Sequence, residues 1–279
     1  MSKRKILSSA VSYMIISLLI LYIVFPLFWC FLVSFKNEVQ VFRIPLKFWP
    51  TPPTLNNYFK LFDRGNMLFF ARNSIIVALI TTSVVFFLAI PAAYGFAKFK
   101  FPAANMLLML IMLLRMVPGI MFNVPYFLML QKLSLLNSVP GLALCYISGG
   151  ALLSIWLLQV SFRAIPVEIE EASIIDGLGV IGRIVKIVIP ISMPSIVTAL
   201  LFVFLGAWNE FLLAATMLKR PELYTIPVGI SVLSQALNNR VYWGEIMANA
   251  TIYIVPVMFA TFYFQRGLVQ GISEGGVKA

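Results

Sequence analysis

The sequence predicts an all-α membrane protein with six transmembrane helices, and three observations carry that prediction. Of its 279 residues, 61% are hydrophobic and 11% charged, with a mean hydropathy of +0.96. Soluble domains carry roughly 25% charged residues. Six apolar runs follow one another, each long enough, or nearly so, to cross hydrocarbon about 30 Å thick, which takes about 20 residues. The short alternating segments of a membrane barrel are absent from the pattern.

The first run, Ile6–Phe35, follows the basic start Met1–Lys5. A cleaved leader has an apolar core of about 7–15 residues and then a small-residue site. This run is about twice that and ends in Phe28, Trp29, Phe31 and Phe35, so it is expected to stay as the first helix. Lys36–Arg72 is the longest polar segment, with Pro45, Pro50, Pro52 and Pro53 before TLNNYFKLF, a candidate short amphipathic helix. The second run is Asn73–Ala97, closed by a turn at Lys98-Phe99-Lys100. Phe101–Leu130 is the third, interrupted by Arg115, and Leu133–Phe162 the fourth. The fifth, Ile191–Leu218, contains Glu210, and Ile246–Gln265 is the sixth, after a polar stretch at Lys219–Glu245. An even count puts both ends on one side. Short basic segments beside helix ends weigh most in orientation. Met1–Lys5 and Lys98–Lys100 favour cytoplasmic termini, although basic residues summed over the two sides are about equal.

Between runs four and five lies AIPVEIEEASIIDGLGVIGRIVKIVIPISMP, Ala164–Pro194. Pro166 opens a helical stretch, where its missing N–H is harmless. Glu168, Glu170 and Glu171 fill the first turns, where acids suit the positive helix end. Asp176-Gly177 is turn chemistry, and Gly177 is expected at positive φ. A second short helix places Ile181, Ile184, Val185 and Val188 on one face and Arg183 and Lys186 on the other.

Composition excludes several chemistries. The chain has no His, so a zinc protease motif, a Ser-His-Asp triad and a His relay are all out of reach. Cys30 and Cys145 both sit in apolar runs, and no acids pair there as a metal site would need. No GxxxxGK[ST] occurs, so the chain is not expected to hydrolyse ATP. Net charge is +11, but the basic residues are scattered rather than gathered in a nucleic-acid stripe, and helix-end anchors at anionic headgroups account for them.

Glu171, Ala172, Gly177, Ile187 and Pro190 fall at the spacing of the EAA loop, with Ser173 in place of a second Ala and Ile189 in place of Leu. On these residues the chain resembles the membrane subunits of binding-protein-dependent ABC importers. NSIIVALITT, AAYGFAKFKFP, MVPG, SIWLLQ, LGAWNEFLLA, TIPVGI and QRGLVQGISEGGVKA resemble the smaller membrane subunit of maltose-type sugar importers, and PPTLNNY its first outer loop. The resemblance implies a type I ABC importer permease fold, read as one permease domain over 1–279. Within it are a core at about 70–265, a cytoplasmic coupling loop at 164–190 and a cytoplasmic tail at 266–279.

It further implies an inner-membrane sugar permease that binds no cofactor itself, with ATP and Mg used by two ATP-binding subunits. A second homologous permease and an extracytoplasmic sugar-binding protein complete the assembly. Coupling is assigned to Glu170, Glu171, Ala172, Asp176, Gly177, Ile187 and Pro190. The alternative for this stretch is an amphipathic loop lying on lipid headgroups. For the whole chain the alternative is an ion-coupled carrier or passive channel with a regulatory loop. A membrane-bound enzyme or biogenesis scaffold ranks below both, lacking catalytic residues.

Polar groups inside spans are costly and therefore informative. Arg115, Gly119 and Asn123 recur at four-residue steps on one expected helix face, and with Asn209 and Glu210 they are the pathway candidates. Arg115 either faces a wet cavity or bonds the carbonyls of neighbouring helices. At about 1.5 Å rise per residue, Arg115 and Glu210 differ by about 13 Å in depth unless tilt closes the gap, and they are read as separate features. Trp208 and Glu210 are expected at an outer gate or in helix packing. Ser148-Gly149-Gly150 and Gln159 are expected in close helix packing and interhelical bonds. Pro118, Pro125 and Pro256 are expected to kink their helices.

Overall fold

The computed structural model describes residues 3–63, 66–234 and 241–276, with the side chains of 3–10, 66, 233–234 and 265–276 left aside. Every regular element among the described residues is a helix: α1 Lys3–Ser34, α2 Glu38–Val41, α3 Asn56–Asp63, α4 Asn66–Lys98, α5 Ala104–Met116, α6 Asn123–Lys132, α7 Val139–Arg163, α8 Val167–Ile175, α9 Val180–Arg183, α10 Ile189–Ile191, α11 Met193–Asn209, α12 Leu212–Met217, α13 Ile226–Ser234 and α14 Trp243–Gly276. Four helices cross as continuous apolar spans, within α1, α4, α7 and α14. Two further pairs are bent, by 98° between α5 and the 119–132 stretch and by 85° between 180–191 and α11, giving six spans when each pair counts once.

The first bend falls at Pro118, where a kink is expected, and the second at the start of the fifth run. Pro118 lacks an N–H and disfavours helical geometry in the residue before it. Val117 is accordingly extended (φ −68°, ψ 126°) and α5 stops at Met116. Pro125 falls in the first turn of α6, where it causes no break. Pro256 sits inside the unbroken α14.

The chain forms two compact units, Met1–Met67 with Gly229–Val255, and Leu68–Val228 with Pro256–Ala279. In the first, the amide of buried Asn57 donates to the carbonyls of Ser34 and Lys36, both at 2.8 Å, closing the C-terminal end of α1. Lys36 turns inward, donating to the Lys47 carbonyl at 2.6 Å and lying 4.5 Å over the Trp29 ring. Burial pushes its ammonium pKa down. The expected amphipathic helix is α3, which buries Asn57 and Leu61 one turn apart. Lys60 pairs with Glu245 at 3.6 Å, and Glu38 accepts from the Gly244 N–H at 2.9 Å. The polar segment after α1 is thus a bonded structure rather than a plain connector.

The core of the second unit joins Val85, Ala89, Ile90, Ala93 and Tyr94 of α4, Leu158 and Phe162 of α7, and Ile196, Ala199 and Val203 of α11. The three- and four-residue steps put each set on one helix face. Helices α7 and α11 approach closely because Gly150 has no side chain. A Cβ there would meet Val203 Cγ1 at 3.0 Å and Val85 Cγ2 at 3.2 Å, whereas Gly149 has nothing within 4 Å. Gly150→Leu is therefore expected to lower the thermal midpoint of the solubilised chain by the equivalent of about 1–3 kcal/mol, while Gly149→Ala leaves it unchanged. Equal midpoints for the two variants would refute this packing role. Gln159 is buried, but its Oε1 accepts no hydrogen bond, unlike the interhelical role expected of it.

Candidate functional site

Two places in the second unit gather the polar residues: a cavity among the spans and the segment between α7 and α11. The cavity holds about 600 Å³ and is lined by Thr81 of α4, Arg115 of α5, Gly119, Phe122 and Tyr126, Cys145, Tyr146 and Ser148 of α7, and Gly206 and Glu210 around the end of α11. Arg115 lies in the last turn of α5 and is exposed. A cation at a helix C-terminus complements the dipole there. It makes no hydrogen bond or ion pair with another described residue. Glu210 follows the end of α11, and its Oε1 and Oε2 accept from the backbone N–H groups of Leu213 (2.8 Å) and Ala214 (3.1 Å) at the start of α12. The Tyr146 hydroxyl donates to Oε2 at 2.6 Å. Three donors thus commit the carboxylate to the protein. Tyr126 and Ser148 hydrogen-bond to each other across the wall.

Arg115 and Glu210 therefore line one cavity, each near the end of its helix. The shared face of Arg115, Gly119 and Asn123 does not form, because the break at Pro118 separates them. Gly119 stays in the cavity wall, while Asn123 starts α6 and reaches Thr216 Oγ1 at 3.5 Å. Asn209 is exposed and does not line the cavity. Tyr126 and Tyr146 carried no signal in the sequence, since an aromatic residue in an apolar run looks like any other core position.

In the other segment Pro166 is the N-cap of α8, just outside it, and Glu168 and Glu170 occupy its first turn. Asp176 ends α8, and Gly177 follows at φ +82°, as its turn requires. The Gly177 and Leu178 N–H groups donate to the carbonyls of Ile174 and Ser173, both at 3.0 Å, closing the helix in a Schellman motif. Glu171, Ala172, Asp176, Gly177 and Pro190 are exposed and Ile187 is half-buried. Glu170 is buried instead, 3.1 Å from Lys98 Nζ at the end of α4.

The second half of the segment departs from the expected face. A π-turn at Ile184–Val188 widens the helical period, so Ile184 and Val188 turn to the core while Val185 stays exposed. Ile175 and Ile181 are 86% and 78% exposed. These side chains leave exposed apolar surface on the segment.

The model of the family described as "Binding-protein-dependent transport system inner membrane component" matches residues 85–274, from α4 across the cavity and the segment into α14. The chain belongs to this family. It is a multi-pass membrane protein and a transport component. The permease is 34% identical to the sulfoquinovosyl glycerol transport system permease protein SmoH of Agrobacterium fabrum, over 94% of this chain and 91% of that one. It is 33% identical to the trehalose transport system permease protein SugB of Mycobacterium tuberculosis, over 94% and 95%. With the trehalose/maltose transport system permease protein MalG of Thermococcus litoralis it shares 30% over 91% of each. The permease fold matches a chain of a bacterial ABC transporter that imports the acidic polysaccharide alginate, with a TM-score of 0.79 at 19% identity, covering 95% of this chain and 98% of that one.

Proposed function

We propose that this permease is one membrane half of an ATP-driven importer of a sugar or sugar derivative. The observation that carries the reading is the end-to-end similarity to permeases of sulfoquinovosyl glycerol, trehalose and maltose systems. The cavity holding Arg115, Gly119 and Glu210 supplies part of the pathway, and a second, homologous permease supplies the rest. An extracytoplasmic binding protein delivers the sugar. Segment 164–190 faces the cytoplasm with both termini, and docks on one of the two ATP-binding subunits through Glu171, Ala172, Asp176 and Gly177, with Ile187 and Pro190 setting its exit. ATP and Mg belong to those subunits, since the sequence carries no GxxxxGK[ST].

Purifying the binding protein and identifying its bound ligand by mass spectrometry names the sugar, and proteoliposome uptake of that ligand tests the reading. Uptake that persists without ATP and collapses with an ion gradient would refute it. The tail from Arg266 carries Gly271, Gly275 and Gly276; α14 continues through Gly276, and residues 277–279 lie outside the described ones. Deleting Gly271–Ala279 is expected to leave expression and assembly intact while lowering uptake, read from membrane abundance and transport rate together. Loss of the chain from the membrane would make the tail structural.

A further inference from the structure

The segment between α7 and α11 is anchored to the core by apolar contacts at its two ends, Ile165 and Val188. Between those anchors α8 is fixed by charge. Lys98 Nζ, on the last residue of α4, lies 3.1 Å from Glu170 Oε1 and donates to the Ile165 carbonyl at 3.0 Å. The Lys98 and Glu170 side chains are only 12% and 10% exposed. The Ser173 hydroxyl donates to the Glu170 carbonyl at 2.6 Å. Beside this pair, Arg163 at the end of α7 donates to the Phe96 carbonyl at 3.3 Å. The last turn of α4 is therefore where α7 and α8 converge.

We infer that Lys98 and Glu170 are positioning residues that carry a displacement of α8 into α4, and through α4 to the cavity. This rests on the reading that segment 164–190 meets the ATP-binding subunits. Thr81, in the cavity wall, lies on the same unbroken helix about 25 Å from Lys98 at 1.5 Å per residue. An apolar contact is non-directional and lets two helices slide. A buried ion pair whose ammonium also donates to a backbone carbonyl fixes one register, because any slip strands a desolvated charge. Adjacent acids thereby divide the work: Glu171 is exposed toward a partner, while Glu170 is turned back toward α4.

The assembled complex, with its ATP-binding subunits and its binding protein as purified, tests this. The reading is the stimulation of ATP hydrolysis by the binding protein, alongside retention of the ATP-binding subunits through purification. Lys98→Arg keeps a cation that reaches both acceptors and is expected to stay within about twofold of the parent. Glu170→Gln keeps the shape and removes the charge. The double variant Lys98→Met/Glu170→Met removes the pair without orphaning either charge, so it is expected to assemble. Glu170→Gln and the double variant should both retain the ATP-binding subunits and lose about fivefold or more of the stimulation.

Stimulation within about twofold of the parent in both of these variants overturns the inference. So does a double variant that fails to assemble while Glu170→Gln responds fully, since the pair would then serve folding alone. If only the double variant fails to assemble, the fall in Glu170→Gln set against Lys98→Arg decides in favour. A parent complex that holds no ATP-binding subunits refutes the docking reading instead, before any variant is made.

Discussion

Glu171→Lys is expected to leave the permease inserted in the membrane and to cut binding-protein-stimulated ATP hydrolysis about tenfold or more. Glu171 is exposed one residue after the buried Glu170, so reversing its charge disturbs no contact that holds the chain together. At the proposed docking surface it sets like charge against like, which costs several kcal/mol. Gly177→Leu reaches the same result by another route. Its φ of +82° is strained for any residue with a β-carbon, although the space around it is open. The strain amounts to about 1–2 kcal/mol and falls on the turn that ends α8. The turn is expected to rebuild, moving α8 while the core at Val85–Val203 stays packed. Membrane abundance, co-purification of the ATP-binding subunits and stimulated hydrolysis, measured together, separate uncoupling from misfolding. Normal stimulation in both variants would refute the coupling assignment.

The second large effect is expected at Arg115. Insertion scales place an Arg at a helix centre about 2.5–3.5 kcal/mol uphill, and the sequence left open whether a cavity or neighbouring carbonyls offset that. The structure puts the guanidinium in the wall of the cavity, at the C-terminal end of α5, with no bond to another described residue. Arg115→Ala is therefore expected to insert at least as readily and to assemble with a thermal midpoint within about 2 °C of the parent. Uptake is expected to fall about tenfold or more, the worth of one charge-assisted hydrogen bond to the passing solute. Its preference among sugars should shift with it. A large fall in melting temperature with unchanged preference would show instead that Arg115 ties subunits or helices together.

Span number, the helical segment between the fourth and fifth spans and the left-handed turn at Gly177 were all legible in the sequence. They rest on local physics: apolar length against hydrocarbon thickness, acids at a helix start, and a residue type that tolerates positive φ. The order of the helices and the amphipathic α3 follow in the same way. Tertiary structure alone decided the rest. Pro118 was visible as a site of bending; the size of the bend, which splits the face of Arg115, Gly119 and Asn123, depends on how the two pieces pack. That Arg115 and Glu210 line one cavity follows from packing between separate helices, and Tyr146, which holds Glu210, comes from a third helix. The same limit separates Glu170 from Glu171. Adjacent acids in one helical turn are alike in sequence, and what distinguishes them is Lys98, more than seventy positions back in the chain. Periodicity reports which way a side chain leaves its own backbone, but the partner it meets is fixed by long-range packing, which no local pattern encodes.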